Sequence, residues 1–186
     1  MPAQRPASTL TPVRMTEALY TSLAFAVGFG AAFQVGMLGL LQRERGSFEA
    51  SWISMLGSIG ALTITIVVLA LARVDSPDLP SPFNTTLVFA LVCIVALAAL
   101  ALSARGVHPG LALVGIFGFT YVLGSSVLGP RIGFGLFLAA STAGTLIGGV
   151  GLDHFGAFGN QVIRVDALKV AGLAFLMLGV VLIKGR

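Results

Sequence analysis

An all-α bundle of about six membrane-spanning helices is the fold that the sequence predicts, on three observations. Hydrophobic residues make up 56% of the 186 residues and charged residues only 10%, far from the usage of soluble domains. Six stretches contain no Asp, Glu, Lys, Arg or His: Leu19 to Leu41, Ala50 to Ala72, Phe83 to Ala104, Gly110 to Gly129, Gly133 to Leu152 and Val170 to Ile183. Backbone amides in hydrocarbon have no water to bond, so such stretches must satisfy them internally, as helices and not as open strands.

Taken in order, residues 1–16 are rich in Pro, Ser and Thr, carry Arg5 and Arg14, and are expected to form a disordered N-terminal tail. Residues 17–186 then form a single transmembrane domain. The first apolar run exceeds a signal-peptide core, so it is expected to stay as an uncleaved span. At 1.5 Å per residue it gives about 35 Å of helix, enough for a hydrocarbon core of about 30 Å. The sixth run is short and is expected to recruit Leu168 and Lys169.

The connections Gln42 to Glu49, Arg73 to Pro82, Arg105 to Pro109 and Pro130 to Ile132 are brief, which makes sequential helices antiparallel neighbours. Asp153 to Ala167 is longer and charged, and is expected to form a surface turn or half-helix. Six spans put both termini on one side, with Arg5, Arg14, Arg73, Arg131, Lys184 and Arg186. Arg43, Arg45, Arg105, Arg164 and Lys169 fall on the other. Six basic residues against five set no orientation by the positive-inside rule. One fixed topology and insertion in both orientations both stay open.

Composition also excludes function classes. The formal charge of +4 comes from tails and loops, as expected of basic ends beside anionic membrane lipid, and forms no nucleic-acid footprint. The lone Cys93 cannot form an intrachain disulfide and reads as a small apolar packer. No phosphate loop, nucleophile elbow or catalytic constellation is present, so the chain reads as non-enzymatic, with no catalytic residue, cofactor or metal. Asp153 and His154 invite a metal or acid–base reading. Adjacent residues at a helix end point apart, however, and an interfacial helix terminus is the reading adopted.

Small residues are abundant, with 24 Gly, and they recur in register. Gly28, Ala32 and Gly36 share one face of the first span, and Ala140, Gly144 and Gly148 one face of the fifth. Lipid gives no hydrophobic drive for helix association, so smooth faces act by admitting close van der Waals contact. These faces are expected at tight interfaces, as static packing or as surfaces along which a helix slides.

Polar groups inside a membrane are costly and usually face the bundle interior. Gln34 is the most polar side chain of the first span, roughly 6 Å from the midplane. Phe117, Tyr121 and Ser125 share a face of the fourth span, and Ser141 and Thr145 one of the fifth. Together they are expected to line a substrate pathway. The alternative is that the hydroxyls bond their own helix carbonyls and Gln34 a neighbouring helix. Glu17, Glu49 and Asp153 sit only at span borders, which disfavours proton coupling through a buried carboxylate.

The stretch Leu113 to Gly133, ending in Gly-Pro-Arg-Ile-Gly, and the following span ending Asp153-His154-Phe155-Gly156 resemble the YdcZ-type small transporters of the drug/metabolite transporter (DMT) superfamily. Gly30, Phe33 and Gln34 in the first span, Ala50 to Gly60 in the second and Gly172 to Ile183 in the last are similar to that family too. In three places the chain departs from its pattern. Leu38 stands where the family has Asn, Gly144-Thr145 stands where it has Gly-Gln, and Phe83 to Ala104 looks like an added span.

The resemblance implies a DMT-like half-transporter in a bacterial inner membrane. Larger relatives have ten helices in two inverted repeats with the substrate between them, so this chain is expected to pair as a homodimer or to join a larger membrane assembly. The function expected is secondary transport of a small organic metabolite or drug-like molecule by alternating access, with Arg131 and Asp153 as interfacial anchors or gates. The rival readings are a non-transporting membrane subunit packed against a larger complex, and movement of an amphiphilic lipid carrier between leaflets.

Overall fold

A computed structural model describes residues 11–74 and 79–184. Its helices are α1 (Thr11–Arg45), α2 (Ser47–Leu71), α3 (Thr86–Ser103), α4 (Val114–Ile132), α5 (Phe134–Phe155) and α6 (Ala167–Lys184), with short 3-10 turns at Pro109–Leu113 and Ala157–Gly159. No strand occurs among the described residues. All six helices are long and apolar enough to cross a membrane.

Several boundaries differ from the sequence expectation: only Gly46 separates α1 from α2, where Gln42 to Glu49 was expected to connect them, and α3 starts at Thr86, three residues later than expected. α1 begins at Thr11, inside the segment expected to be a tail, because Pro12 suits a first helical turn, where an amide would lack a partner anyway. Residues 1–10 of that expected tail lie outside the described residues. α4 runs through Pro130, where a loop was expected, and ends at Ile132. The break falls at Gly133, whose φ of 88° suits a residue without a side chain. At its far end α5 stops at Gly156, with a left-handed φ of 61°, and the expected surface turn follows.

α1 is the central helix, packed by α5, α4 and α2, while α3 lies outside α2 and α6 outside α5. Its 35 residues span about 52 Å, so its last turn stands clear of a hydrocarbon core of about 30 Å. There Arg43 and Arg45 reach across to the loops after α5 and α3: Arg43 donates to Asn160 Oδ1 and the Phe158 carbonyl, Arg45 to the Arg105 carbonyl. At the opposite end, the Arg131 guanidinium of α4 lies 5.5 Å from the centre of the Tyr20 ring. The helices therefore alternate in direction, with the α1–α2, α3–α4 and α5–α6 connections on one face, here termed distal, and the outer ends of α1 and α6 on the other.

Two apolar clusters close the two ends. Toward the distal face Met37, Leu41, Ala50, Ile53, Val107, Leu111 and Val114 are buried together. Toward the other, Ala24, Leu128, Leu136, Phe137, Ala140, Ala143 and Val180 pack among α1, α4, α5 and α6.

The tightest crossing joins α1 to α5. A methyl built on Gly28 would fall 1.8 Å from the Ser141 carbonyl oxygen, one on Gly144 2.1 Å from that of Phe25, and one on Gly148 2.7 Å from Ala32 Cβ. The small faces at Gly28–Ala32 and Gly144–Gly148 thus meet backbone to backbone. Gly36, one turn on, instead receives the Phe158 ring, 2.6 Å from where its Cβ would stand. That ring also meets Phe33 edge-on at 6.3 Å.

The Arg43 bonds fasten this loop to α1. Arg43→Ala is expected to leave the spans folded while loosening residues 156–163. Removal of the two exposed, charge-assisted bonds costs about 1–2 kcal/mol, so amide hydrogen exchange in that loop should quicken roughly five- to thirtyfold.

Candidate functional site

α2 and α4 touch at a second glycine crossing. A methyl on Gly115 would lie 2.4 Å from the Ser58 amide nitrogen, and one on Gly57 3.1 Å from Gly115 Cα. Ser58 secures the contact by donating to the Gly115 carbonyl at 2.9 Å, or to that of Ser54 at 3.0 Å. Beyond this crossing, between residues 54–62 of α2 and 118–126 of α4, a cavity of about 440 Å³ remains.

Gln34 of α1 forms its polar floor. Gly118 makes room for it: a Cβ there would stand 2.6 Å from Gln34 Nε2. The amide donates to Ser54 Oγ at 3.4 Å, the long limit of a hydrogen bond. Three helices thus converge on one carboxamide, a geometry that permits it to exchange its partner for another group.

Seven of the eleven lining residues are apolar: Met55, Ile59 and Leu62 from α2, with Gly118, Phe119, Val122 and Leu123 from α4. Ser126 completes the wall, but its hydroxyl bonds the Leu123 carbonyl. Met55 and Val122 are each 66% exposed, so the cavity is a groove open sideways to the surrounding medium. Size, apolar walls and few convergent polar groups are the usual makeup of a small-molecule site.

Of the residues expected along a pathway, Gln34 lines this groove and the others do not. Phe117 faces away from it, stacked on Phe33 at 6.1 Å and packed on the distal cluster. Tyr121 packs on Phe137 with ring centres 6.1 Å apart. Ser125 bonds the Val122 carbonyl of its own helix. Ser141 is buried in the α1–α5 seam and bonds Leu138. Thr145 lies 2.9 Å from the carbonyls of both Gly28 and Ser141, joining α5 to α1.

Thr145→Val keeps the shape and removes this link. The expected loss is about 0.6 kcal/mol, at most ~1.7, as for other interhelical bonds in membranes, measurable as a small shift in the unfolding midpoint in detergent.

Of the interfacial residues, Asp153 acts through its backbone carbonyl and His154 through its ring. The Asp153 carbonyl accepts from Gly156 and Ile163 amides, and His154 Nδ1 accepts from the Val165 amide at 3.2 Å. Among the described residues no three His, Cys, Asp or Glu side chains gather as a metal site would need.

Sequence reasoning passed over Ser54, Ser58, Ser126 and Gly118. Ser54 and Ser58 stand four apart on α2, the same spacing that drew attention to Ser141 and Thr145, so that signal was present.

No curated protein and no solved structure matches the chain. A family model does, described as "Putative inner membrane exporter, YdcZ", and it covers residues 19–182, running from α1 to α6. With that match lying along six membrane-length helices, the chain belongs to the YdcZ family of the DMT superfamily and is an integral inner-membrane protein of a transporter class.

Proposed function

We propose that the chain is a secondary transporter of a small organic metabolite or drug-like molecule, and that the α2–α4 groove with Gln34 at its floor is its substrate site. The observation that carries this reading is the groove itself: about 440 Å³ along the middle stretches of α2 and α4, mostly apolar, with one amide drawn from a third helix. Intramembrane polar groups of this kind mark substrate pathways by default. A groove open on one side is half a site, which suits a half-size chain that pairs with a second copy. Close glycine crossings at Gly28–Ser141 and Gly57–Gly115 leave smooth surfaces on which helices shift during alternating access.

The test is exchange of a broad panel of labelled metabolites and drug-like solutes into proteoliposomes holding the purified protein. Uptake of at least one solute above protein-free liposomes supports the proposal, and uptake of none counts against it. One further observation favours a subunit role: only 6% of the apolar stretch of α3, and the same of α6, is buried inside the protein. Purification in mild detergent separates the two readings, since a subunit brings a larger complex with it in fixed ratio and a carrier elutes as a dimer.

A further inference from the structure

We infer that the groove takes an uncharged amphiphile, with one hydrogen-bonding head seated on Gln34 and Ser54 and an apolar body lying between α2 and α4, admitted sideways from the lipid. This rests on the proposal that the groove is the transport site.

The head is limited by what the groove can bond. Of its four polar side chains, Ser58 and Ser126 commit their hydroxyl protons to backbone carbonyls. Gln34 has a single hydrogen bond, from Nε2 to Ser54, which leaves its amide oxygen and a second N–H available, along with the Ser54 proton. Those groups match one head that both donates and accepts, such as a carboxamide or a hydroxyl.

Charge is excluded by the same walls. None of the lining residues is ionisable, and bringing an ion into such surroundings without a partner costs several kcal/mol. A polyol is disfavoured as well, because its remaining hydroxyls would face Met55, Leu62 and Val122 without partners. The route follows from exposure: those three residues lie at the open side, 66%, 45% and 66% exposed.

The test uses the full chain in lipid nanodiscs, with Trp52→Phe removing its one tryptophan and Val122→Trp placing a reporter on the groove wall. Decanamide brominated at its chain end is compared with the equally brominated decanoate and decyltrimethylammonium at equal mole fractions in the membrane. Saturable quenching by the amide, linear quenching by both ions, and at least about fivefold weaker amide binding with Gln34→Leu are expected. Should Gln34→Leu fail to fold, Ser54→Ala serves the same purpose. Saturable quenching by either ion overturns the substrate class and leaves the groove as a transport site. Linear quenching by all three overturns the class and removes the groove, and solute uptake by proteoliposomes then decides whether the carrier reading survives elsewhere in the chain. Strong quenching by brominated phosphatidylcholine that the amide does not relieve identifies a lipid chain as the occupant and likewise overturns the inference. Quenching in every case that depends on dilution of the protein within the membrane identifies a second copy covering the groove, and this outcome overturns the inference too.

Discussion

Gly144→Ala is expected to cost at least about 3 kcal/mol, enough to lower the unfolding midpoint in detergent sharply and to cut the yield of folded protein. The added methyl would stand 2.1 Å from the Phe25 carbonyl oxygen and 2.8 Å from the Phe29 amide nitrogen. Both are α1 backbone atoms, which cannot swing aside as a side chain does, so α1 and α5 must separate along the whole seam. Overpacking commonly costs about 1–3 kcal/mol, and displacement of backbone falls at or above the top of that range. Total stabilities of only about 5–15 kcal/mol make such a loss severe. Gly28→Ala should behave alike, at 1.8 Å from the Ser141 oxygen. Gly149→Ala is the control: same helix, nothing within 4 Å of the new methyl, and an unfolding midpoint in detergent equal to or above the parent's.

The same substitution at Gly118 is expected to do the opposite, sparing the fold and disabling the site. A methyl there would lie 2.6 Å from Gln34 Nε2 and 3.2 Å from Ser58 Oγ. What must yield is the end of a flexible side chain on a single long hydrogen bond, which moves at the cost of about 1 kcal/mol. The displaced amide swings into the groove, where it occupies the space and the hydrogen-bonding position of the substrate head. Solute flux should fall about tenfold or more, while the unfolding midpoint stays close to the parent's. A loss of stability as large as that of Gly144→Ala would show that the α1–α4 contact, and not the amide, is what Gly118 serves.

The contrast between these two glycines also shows what the sequence could and could not convey. Six uncharged runs reveal six helices because hydrocarbon leaves the backbone no other arrangement. The repeats at Gly28 and Gly144 reveal smooth faces for a second reason, that helices in lipid associate through close van der Waals contact and not through a hydrophobic drive. Boundaries were less legible, since Pro130 reads as a breaker and yet sits in the last turn of α4, with Gly133 supplying the reversal. The groove was legible only through Gln34, whose amide is conspicuous in an apolar run wherever it points. Ser54 and Ser58 stand out no more than Ser141 and Thr145. Which pair borders a cavity depends on the Gly57–Gly115 contact that pins α2 against α4, and on Thr145 being drawn into the α1–α5 seam. These are tertiary facts, set by which helices cross. Tyr121 and Ser125 illustrate the limit: they share a face, as spacing requires, but that face meets α5 and its own backbone.

Solute uptake into proteoliposomes, with the parent chain and Gln34→Leu measured side by side over the same panel, bears most directly on the groove as a transport site. The expected result is at least one solute that the parent takes up and Gln34→Leu does not, from two proteins with matching unfolding midpoints. Equal uptake by both would contradict it.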